Sequence, residues 1–130
     1  MIACISGFFR MTLIAVCLLP ALTTRAEPTK RLSGEQAFAA CSGCHSLGAG
    51  QEHKVGPNLA GVVGRKAAQS PGYTYSPALQ NSELVWSREN LFAWLAASEA
   101  LVPDSWMLYA NVLEPEELMA LIDFLETGSK

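Results

Sequence analysis

The pentapeptide Cys-Ser-Gly-Cys-His at positions 41–45 constrains the fold of this chain more than any other feature. Residues three and four apart share one face of a helix, so Cys41, Cys44 and His45 can all point to the same side. Two thiols can bond to the two vinyl groups of one porphyrin while the imidazole takes its iron, and C-x-x-C-H is accordingly an attachment motif for c-type haem. We therefore expect a fold built around a large, covalently bound group.

Two other kinds of site use cysteines with this spacing. A structural zinc needs four ligands, and apart from the two cysteines the candidates are His45 and His53, all four within thirteen residues. A thioredoxin-like dithiol needs a βαβ context, and no strand alternation surrounds the motif. Haem attachment is the favoured interpretation, with these two as its alternatives.

The first 26 residues have the features of a cleavable secretory signal. Arg10 supplies a positive charge, and the apolar run over 11–22 is too short to span a bilayer. Thr24 and Ala26 place small residues at the positions that a signal peptidase inspects. The alternative is an uncleaved membrane anchor. We expect a signal peptide over 1–26, one domain over 27–130 and a periplasmic location.

Acidic residues outnumber basic ones after the signal, twelve against seven. A net negative protein is a poor match for nucleic acid or for an anionic lipid surface, because both carry the same sign of charge. We expect a soluble domain with no membrane span after processing.

Capping residues and helical periodicity predict at least three helices. A capping box of Ser33 and Gln36 begins the first, Ser87 begins the second, and Pro115 suits the first turn of the last, which Gly128 closes. These helices should run to about residues 44, 97 and 127. Their buried faces should carry Leu91, Trp94 and Leu95 in the second helix, and Leu118, Leu121, Ile122 and Leu125 in the last.

The segments 46–64 and 69–81 are rich in Gly and Pro and predict loops. Loops of this length are uncommon in a compact domain unless something large fills its middle. A haem would do so.

A six-coordinate haem needs a second iron ligand besides His45. His53 lies in a polar loop, where a solvated side chain is the ordinary expectation, and Met119 lies among the packing residues of the last helix. Met107 lies in an irregular stretch after Pro103, from which its thioether can reach an iron. Met107 is the favoured ligand, and a role in core packing is its alternative.

The order of these motifs resembles the class I mitochondrial and bacterial monohaem cytochromes c over nearly all of the mature chain. The matching stretches are CSGCH, VGPNLAGVVGR from Val55, PGYTYS from Pro71, VW at Trp86, VPDSWM up to Met107, and the last helix. The resemblance implies an all-α, small cytochrome c-like fold, with three or more helices and long loops wrapped around one covalently attached haem. It also implies haem c bound through Cys41 and Cys44, with His45 and Met107 as axial ligands.

The resemblance assigns roles to four further residues. The Pro57 carbonyl would accept the Nδ1 proton of His45 and so orient the ring. Arg65, Tyr75 and Trp86 match positions that bind the haem propionates, although ordinary packing or surface roles would also suit them.

Several residues depart from the family pattern near the methionine. Leu79 replaces an Asn usual near the inner propionate, and Trp94 replaces a Tyr usual beside the methionine sulfur; an indole can donate a hydrogen bond but cannot accept one. The family usually has the sequence P-G-T-K-M at its methionine. Here Pro103 keeps the proline, and Asp104, Ser105 and Trp106 replace the three residues before Met107.

Lysines that commonly surround the exposed haem edge are mostly replaced here, in three places by Glu99, Ala100 and Trp106. We therefore hypothesise an apolar docking patch centred on Trp106, Tyr109 and residues 100–102. The alternative is that Trp106 only covers the haem edge.

These features predict an exported monohaem c-type cytochrome that carries single electrons and is not an enzyme, because Met107 would leave no open position on the iron. The expected donor is a protein such as a quinol oxidoreductase or a periplasmic dehydrogenase, and the expected acceptor is a terminal oxidase or reductase. A gas- or ligand-binding haem sensor is the alternative if Met107 is off the iron. A thiol–disulfide oxidoreductase is the alternative if there is no haem.

Overall fold

A computed structural model describes residues 30–128 of the chain. Its helices, in chain order, are α1 (Gly34–Phe38), α2 (Pro77–Gln80), α3 (Arg88–Ala96), α4 (Ser98–Leu101) and α5 (Pro115–Thr127). The extended pairing within 30–128 is one isolated antiparallel bridge between Lys66 and Val85, so the fold is all-α as predicted. The predicted signal over 1–26 lies outside the described residues.

Within residues 30–128, no helix is long and apolar enough to cross a membrane.

Helix α1 begins where predicted and ends earlier. The Ser33–Gln36 capping box forms as expected, with the Ser33 N–H donating to Gln36 Oε1 at 2.9 Å. The regular helix was expected to reach about Cys44, but it stops at Phe38 because the next turns tighten to bonds between residues three apart. The His45 N–H still donates to the Cys41 carbonyl at 2.9 Å, so the haem motif keeps its helical spacing.

Helices α3 and α5 follow the prediction closely. Ser87 Oγ accepts from the Asn90 N–H at 3.1 Å, and Pro115 occupies the first turn of α5. Gly128 caps α5 in an ordinary right-handed conformation, with φ of −76°, and a Cβ atom there would lie 2.8 Å from the Phe124 carbonyl oxygen, so the glycine provides space rather than a left-handed turn. The predicted apolar faces are buried: Leu91, Trp94 and Leu95 in α3, and Leu118, Leu121, Ile122 and Leu125 in α5.

Helices α2 and α4 were not predicted, and α2 lies inside a segment expected to be loop. Ser76 Oγ caps α2 by accepting from the Leu79 N–H at 3.2 Å, with Pro77 as its first residue. Each of these helices has four residues, which is too short for hydrophobic periodicity to reveal.

Helices α1 and α3 both pack against α5. The crossing with α1 is close at Gly34, where a Cβ atom would lie 2.1 Å from the Ala120 carbonyl oxygen. The rings of Phe38 and Phe124 meet beside it with centroids 5.6 Å apart. The helices thus form a compact frame, and the long loops close over it to leave a cavity.

Candidate functional site

A cavity of about 340 Å³ lies between the helical frame and the loops. That volume falls within the roughly 300–1,000 Å³ typical of small-molecule and cofactor sites. All eight residues predicted from the sequence line it: Cys41, Cys44, His45, Pro57, Arg65, Tyr75, Trp86 and Met107. The fold therefore brings together side chains that are spread over most of the domain.

The His45 imidazole is oriented by a backbone carbonyl. Its Nδ1 lies 2.8 Å from the Pro57 oxygen, and because a carbonyl can only accept, this nitrogen carries the proton. Burial lowers the pKa of His45, while the bond to Pro57 acts in the opposite direction. A neutral ring with its lone pair on Nε2 is the form that binds a metal.

Gly56 makes room for that ring. A Cβ atom at this position would lie 2.3 Å from Cε1 and 2.7 Å from Nδ1 of His45. Sequence reasoning did not single out Gly56, although its place directly before Pro57 offered a signal. The ring can therefore lie directly against the backbone that holds it.

The two cysteines of the motif line the cavity and are not joined to each other by a disulfide. Cys41 is half-buried and Cys44 is exposed. Burial raises the pKa of Cys41, and the neighbouring Cys44 raises it further. Reactive thiols depend on a lowered pKa, so the shift at Cys41 is opposite to the one that activates a thiol.

His53 is not a solvated loop residue. Its Nδ1 accepts from the Asn58 N–H at 2.9 Å and its Nε2 donates to the Pro71 carbonyl at 2.8 Å. Both ring nitrogens are engaged, so His53 joins two loops and cannot also bind a zinc with the cysteines. Within 30–128, no group of three or more His, Cys, Asp or Glu residues is placed to hold a metal ion.

The sulfur of Met107 accepts a hydrogen bond from the Trp94 indole. The Nε1–Sδ distance is 3.0 Å, and Trp94 is buried against Trp86 with ring centroids 5.2 Å apart. Met119, the competing methionine, lies on α5 with 41% of its surface exposed. Trp94 departs from the family's usual tyrosine, and its indole makes the one hydrogen bond that it can donate.

Two polar side chains that line the cavity, Arg65 and Tyr75, can still donate hydrogen bonds. Arg65 donates to the Ala60 carbonyl at 3.0 Å and to the Asn58 carbonyl at 3.4 Å, which leaves other guanidinium protons available. The Tyr75 oxygen accepts from the Ser70 N–H at 3.2 Å, so its own proton remains available. These groups can donate to anionic substituents of a bound molecule.

Ser105 gives the clearest sign that the cavity is built for a partner molecule. It is buried at the cavity wall, and its Oγ is the one buried side-chain N or O atom in the described part of the chain without a hydrogen-bond partner. An unpaired buried hydroxyl is unfavourable by about 1–3 kcal/mol. A haem carboxylate could accept from it, and the paired cysteines, imidazole and thioether suit the rest of a haem c.

Fold and cavity together define an all-helical protein with a site for one covalently attached haem. A family model described as cytochrome c matches residues 32–129. The chain is 42% identical over 95 residues to cytochrome c2 of Agrobacterium tumefaciens (strain II Chrys), covering 71% of this chain and 86% of the relative. It is 35% identical over 105 residues to cytochrome c of Sesamum indicum, covering 80% and 95%.

Among solved structures, cytochrome cH from Methylobacterium extorquens matches with a TM-score of 0.68 and 39% identity, covering 72% of this chain and 94% of that one. The chain belongs to the cytochrome c family. It is an electron-transfer protein rather than an enzyme, and its cofactor is haem c, for which Cys41 and Cys44 have the attachment spacing.

Proposed function

We propose that this protein is an exported single-electron carrier whose haem iron is ligated by His45 and Met107. One observation carries the proposal: both side chains line the cavity that the two motif cysteines line, and each is held by its own hydrogen bond. When bound, the haem supplies a one-electron redox couple, and ligation by histidine and methionine raises its potential.

The chain's own residues hold the two ligands and exclude water. Pro57 keeps the proton of His45 on Nδ1, so Nε2 is free for the iron. Trp94 donates to the sulfur of Met107, which withdraws electron density from that ligand and favours the reduced state. Buried Leu91 and Leu121 line the same cavity and keep it apolar, so little solvent has to reorganise when an electron arrives.

The same proposal includes export to the periplasm and exchange with two protein partners. The donor would be a protein such as a quinol oxidoreductase or a periplasmic dehydrogenase, and the acceptor a terminal oxidase or reductase. Support comes from the signal features of residues 1–26 and from bacterial relatives named cytochrome c2. Mass spectrometry of the purified holoprotein should give a mature N-terminus near Glu27, and a chain that retains Met1 would contradict processing.

Replacing Met107 tests the ligation directly. We expect Met107→Ala protein to keep its haem, because the thioether bonds of Cys41 and Cys44 do not depend on residue 107. It should lose the thioether-to-ferric-iron absorption band, have a lower reduction potential, and bind carbon monoxide when reduced. The matched control is Met119→Ala, which removes a methionine outside the cavity and should change none of these properties.

Two outcomes would contradict the proposal. An unchanged ferric spectrum and potential in Met107→Ala would remove this residue from the iron. Wild-type reduced protein that bound carbon monoxide as readily as the variant would instead indicate the ligand-binding sensor.

A further inference from the structure

Three large apolar side chains are exposed at the mouth of the cavity. Val55 is 79% exposed, Trp106 is 62% exposed and Leu108 is 98% exposed, and all three also line the cavity. We call these three residues the rim patch. Exposed apolar groups clustered at a functional opening are typical of interaction sites, whereas scattered ones need no explanation.

The rim patch differs from the docking patch hypothesised from the sequence. Trp106 belongs to both, and its side chain is accessible to a partner. Residues 100–102 do not belong, because Val102 is 5% exposed, Leu101 is half-buried, and the exposed Ala100 does not line the cavity. Tyr109 lines the cavity next to the patch but is half-buried, with its hydroxyl 3.4 Å from Asn111 Oδ1.

The part of the chain that supplies Trp106 and Leu108 is strongly acidic. From residue 89 to residue 128 there are eight carboxylates and no Lys, Arg or His. The eight are Glu89, Glu99, Asp104, Glu114, Glu116, Glu117, Asp123 and Glu126. Two of them, Asp123 and Glu126, pair with Arg88, the residue just before this segment.

Two of these carboxylates stand beside the rim patch. Glu99 and Asp104 are both exposed, and Glu99 Oε1 accepts from the Asp104 N–H at 3.1 Å in the turn just before Trp106. The nearest basic side chain in the sequence is Lys54, next to Val55, and its Nζ donates to the Ser42 carbonyl at 2.6 Å. The rim patch is therefore bordered by carboxylates on the side of Trp106, and residues 89–128 supply no basic side chain there.

We infer that the rim patch docks an electron-transfer protein whose contacting face is apolar and bordered by basic side chains. This inference rests on the proposed electron-carrier function and names the kind of partner. Trp106 is the anchor, because tryptophan is prominent among the residues that dominate binding energy at interfaces. The acidic border steers a basic partner toward the cavity mouth, and salt weakens that steering.

Voltammetry on coated electrodes tests the inference with a defined substitute for the partner face. One electrode carries a mixed monolayer of methyl and trimethylammonium groups, and the other a monolayer of carboxylate groups. We expect wild-type holoprotein to exchange electrons about tenfold faster on the methyl–ammonium surface, because both the apolar and the charge match are satisfied there.

Paired variants separate the apolar and the charged contributions. Leu108→Gln removes apolar contact without changing charge and should slow exchange on the methyl–ammonium surface severalfold more than on the carboxylate surface, a ratio that a change in potential alone would not alter. Met119→Gln is the matched control, since Met119 is exposed away from the cavity mouth, and should have no effect. The double variant Glu99→Gln, Asp104→Asn should slow exchange and weaken its dependence on salt.

Three results would overturn the inference. Equal rates on both surfaces, or an equal loss in Leu108→Gln and Met119→Gln, would show that the rim patch is not selective. Wild-type binding to neutral phosphatidylcholine vesicles that is lost in Leu108→Gln would assign the patch to a membrane. In each case a normal one-electron wave would leave the proposed function intact, whereas no wave on any surface, even with a dissolved mediator, would contradict that function itself.

Discussion

Two hydrogen bonds hold the side chains that we propose as iron ligands, and they act on different properties. The Pro57 carbonyl fixes which nitrogen of His45 carries the proton, so it controls whether the ring can bind at all. The Trp94 indole donates to Met107 Sδ, so it adjusts how strongly that sulfur donates electrons. The first contact concerns assembly, and the second concerns the reduction potential.

Trp94→Phe removes the N–H donor while keeping an aromatic ring in the same place. A hydrogen bond contributes about 0.5–1 kcal/mol, and for one electron 59 mV corresponds to a tenfold change in equilibrium. Only the difference in the strength of this bond between the reduced and the oxidised protein changes the potential, so we expect the reduction potential to fall by at most about 20–40 mV. Trp94→Tyr restores a donor and should recover much of that change. Equal potentials in wild type and Trp94→Phe would mean that the indole does not act on the sulfur in the holoprotein.

Among the helices, the close approach of α1 to α5 limits which residue position 34 can carry. Replacing a glycine within a helix by alanine normally stabilises a protein by about 0.5–1 kcal/mol. At Gly34 the added Cβ would lie 2.1 Å from the Ala120 carbonyl oxygen and 2.6 Å from Phe124 Cβ, both parts of α5 that cannot move cheaply. Steric overlap with a helix backbone should therefore outweigh the gain in propensity.

We expect Gly34→Ala to lower the stability of the holoprotein by at least about 1–2 kcal/mol, or its Tm by roughly 5–15 °C. Gly43→Ala is the control, because a Cβ there meets nothing within 4 Å and should change stability by less than about 0.5 kcal/mol. Thermal unfolding followed by circular dichroism measures both. A Gly34→Ala protein as stable as wild type would show that the crossing is looser than this structure has it.

The sequence predicted the two longest helices, α3 and α5, because their capping residues and apolar spacing lie in the helices or directly beside them. Ser87 and the Pro115 turn mark the starts of α3 and α5, and each helix is long enough for its apolar face to be read. The early end of α1 was missed because the tightening after Phe38 carries no such signal. Helices α2 and α4, with four residues each, are below the length at which periodicity distinguishes helix from turn.

The candidate site was predictable as a set of residues but not as an arrangement. Each of the eight residues had a motif or a resemblance behind it, and all eight line one cavity. The bridging role of His53 could not be predicted, since its partner Pro71 is eighteen residues away. The close fit of Gly56 against His45 was missed for a similar reason, because it is a matter of space rather than of residue type.

At the scale of the whole molecule, the haem is expected to complete the core. The cavity is open at its mouth and is lined largely by apolar side chains, so without haem these side chains lie against water instead of against a porphyrin. The total stability of a domain of this size is only roughly 5–15 kcal/mol. Losing the burial that the haem provides should therefore leave the chain with little stability.

We therefore expect Cys41→Ala, Cys44→Ala protein, produced without haem, to be largely unfolded. Circular dichroism should show low helix content and a broad, weakly cooperative thermal transition, in contrast to the sharp transition of the holoprotein. A cooperative, native-like melt of the double variant would contradict this account of the core.

A spectroelectrochemical titration of the purified wild-type holoprotein tests the central claim most directly, because it reports ligation and electron transfer together. We predict a thioether-to-ferric-iron band in the oxidised protein that disappears on reduction with a one-electron Nernst slope of about 59 mV per tenfold change. The haem should stay with the chain after denaturation, as thioether attachment requires. Absence of the band at every potential, or release of the haem on denaturation, would contradict a covalently bound haem ligated by His45 and Met107.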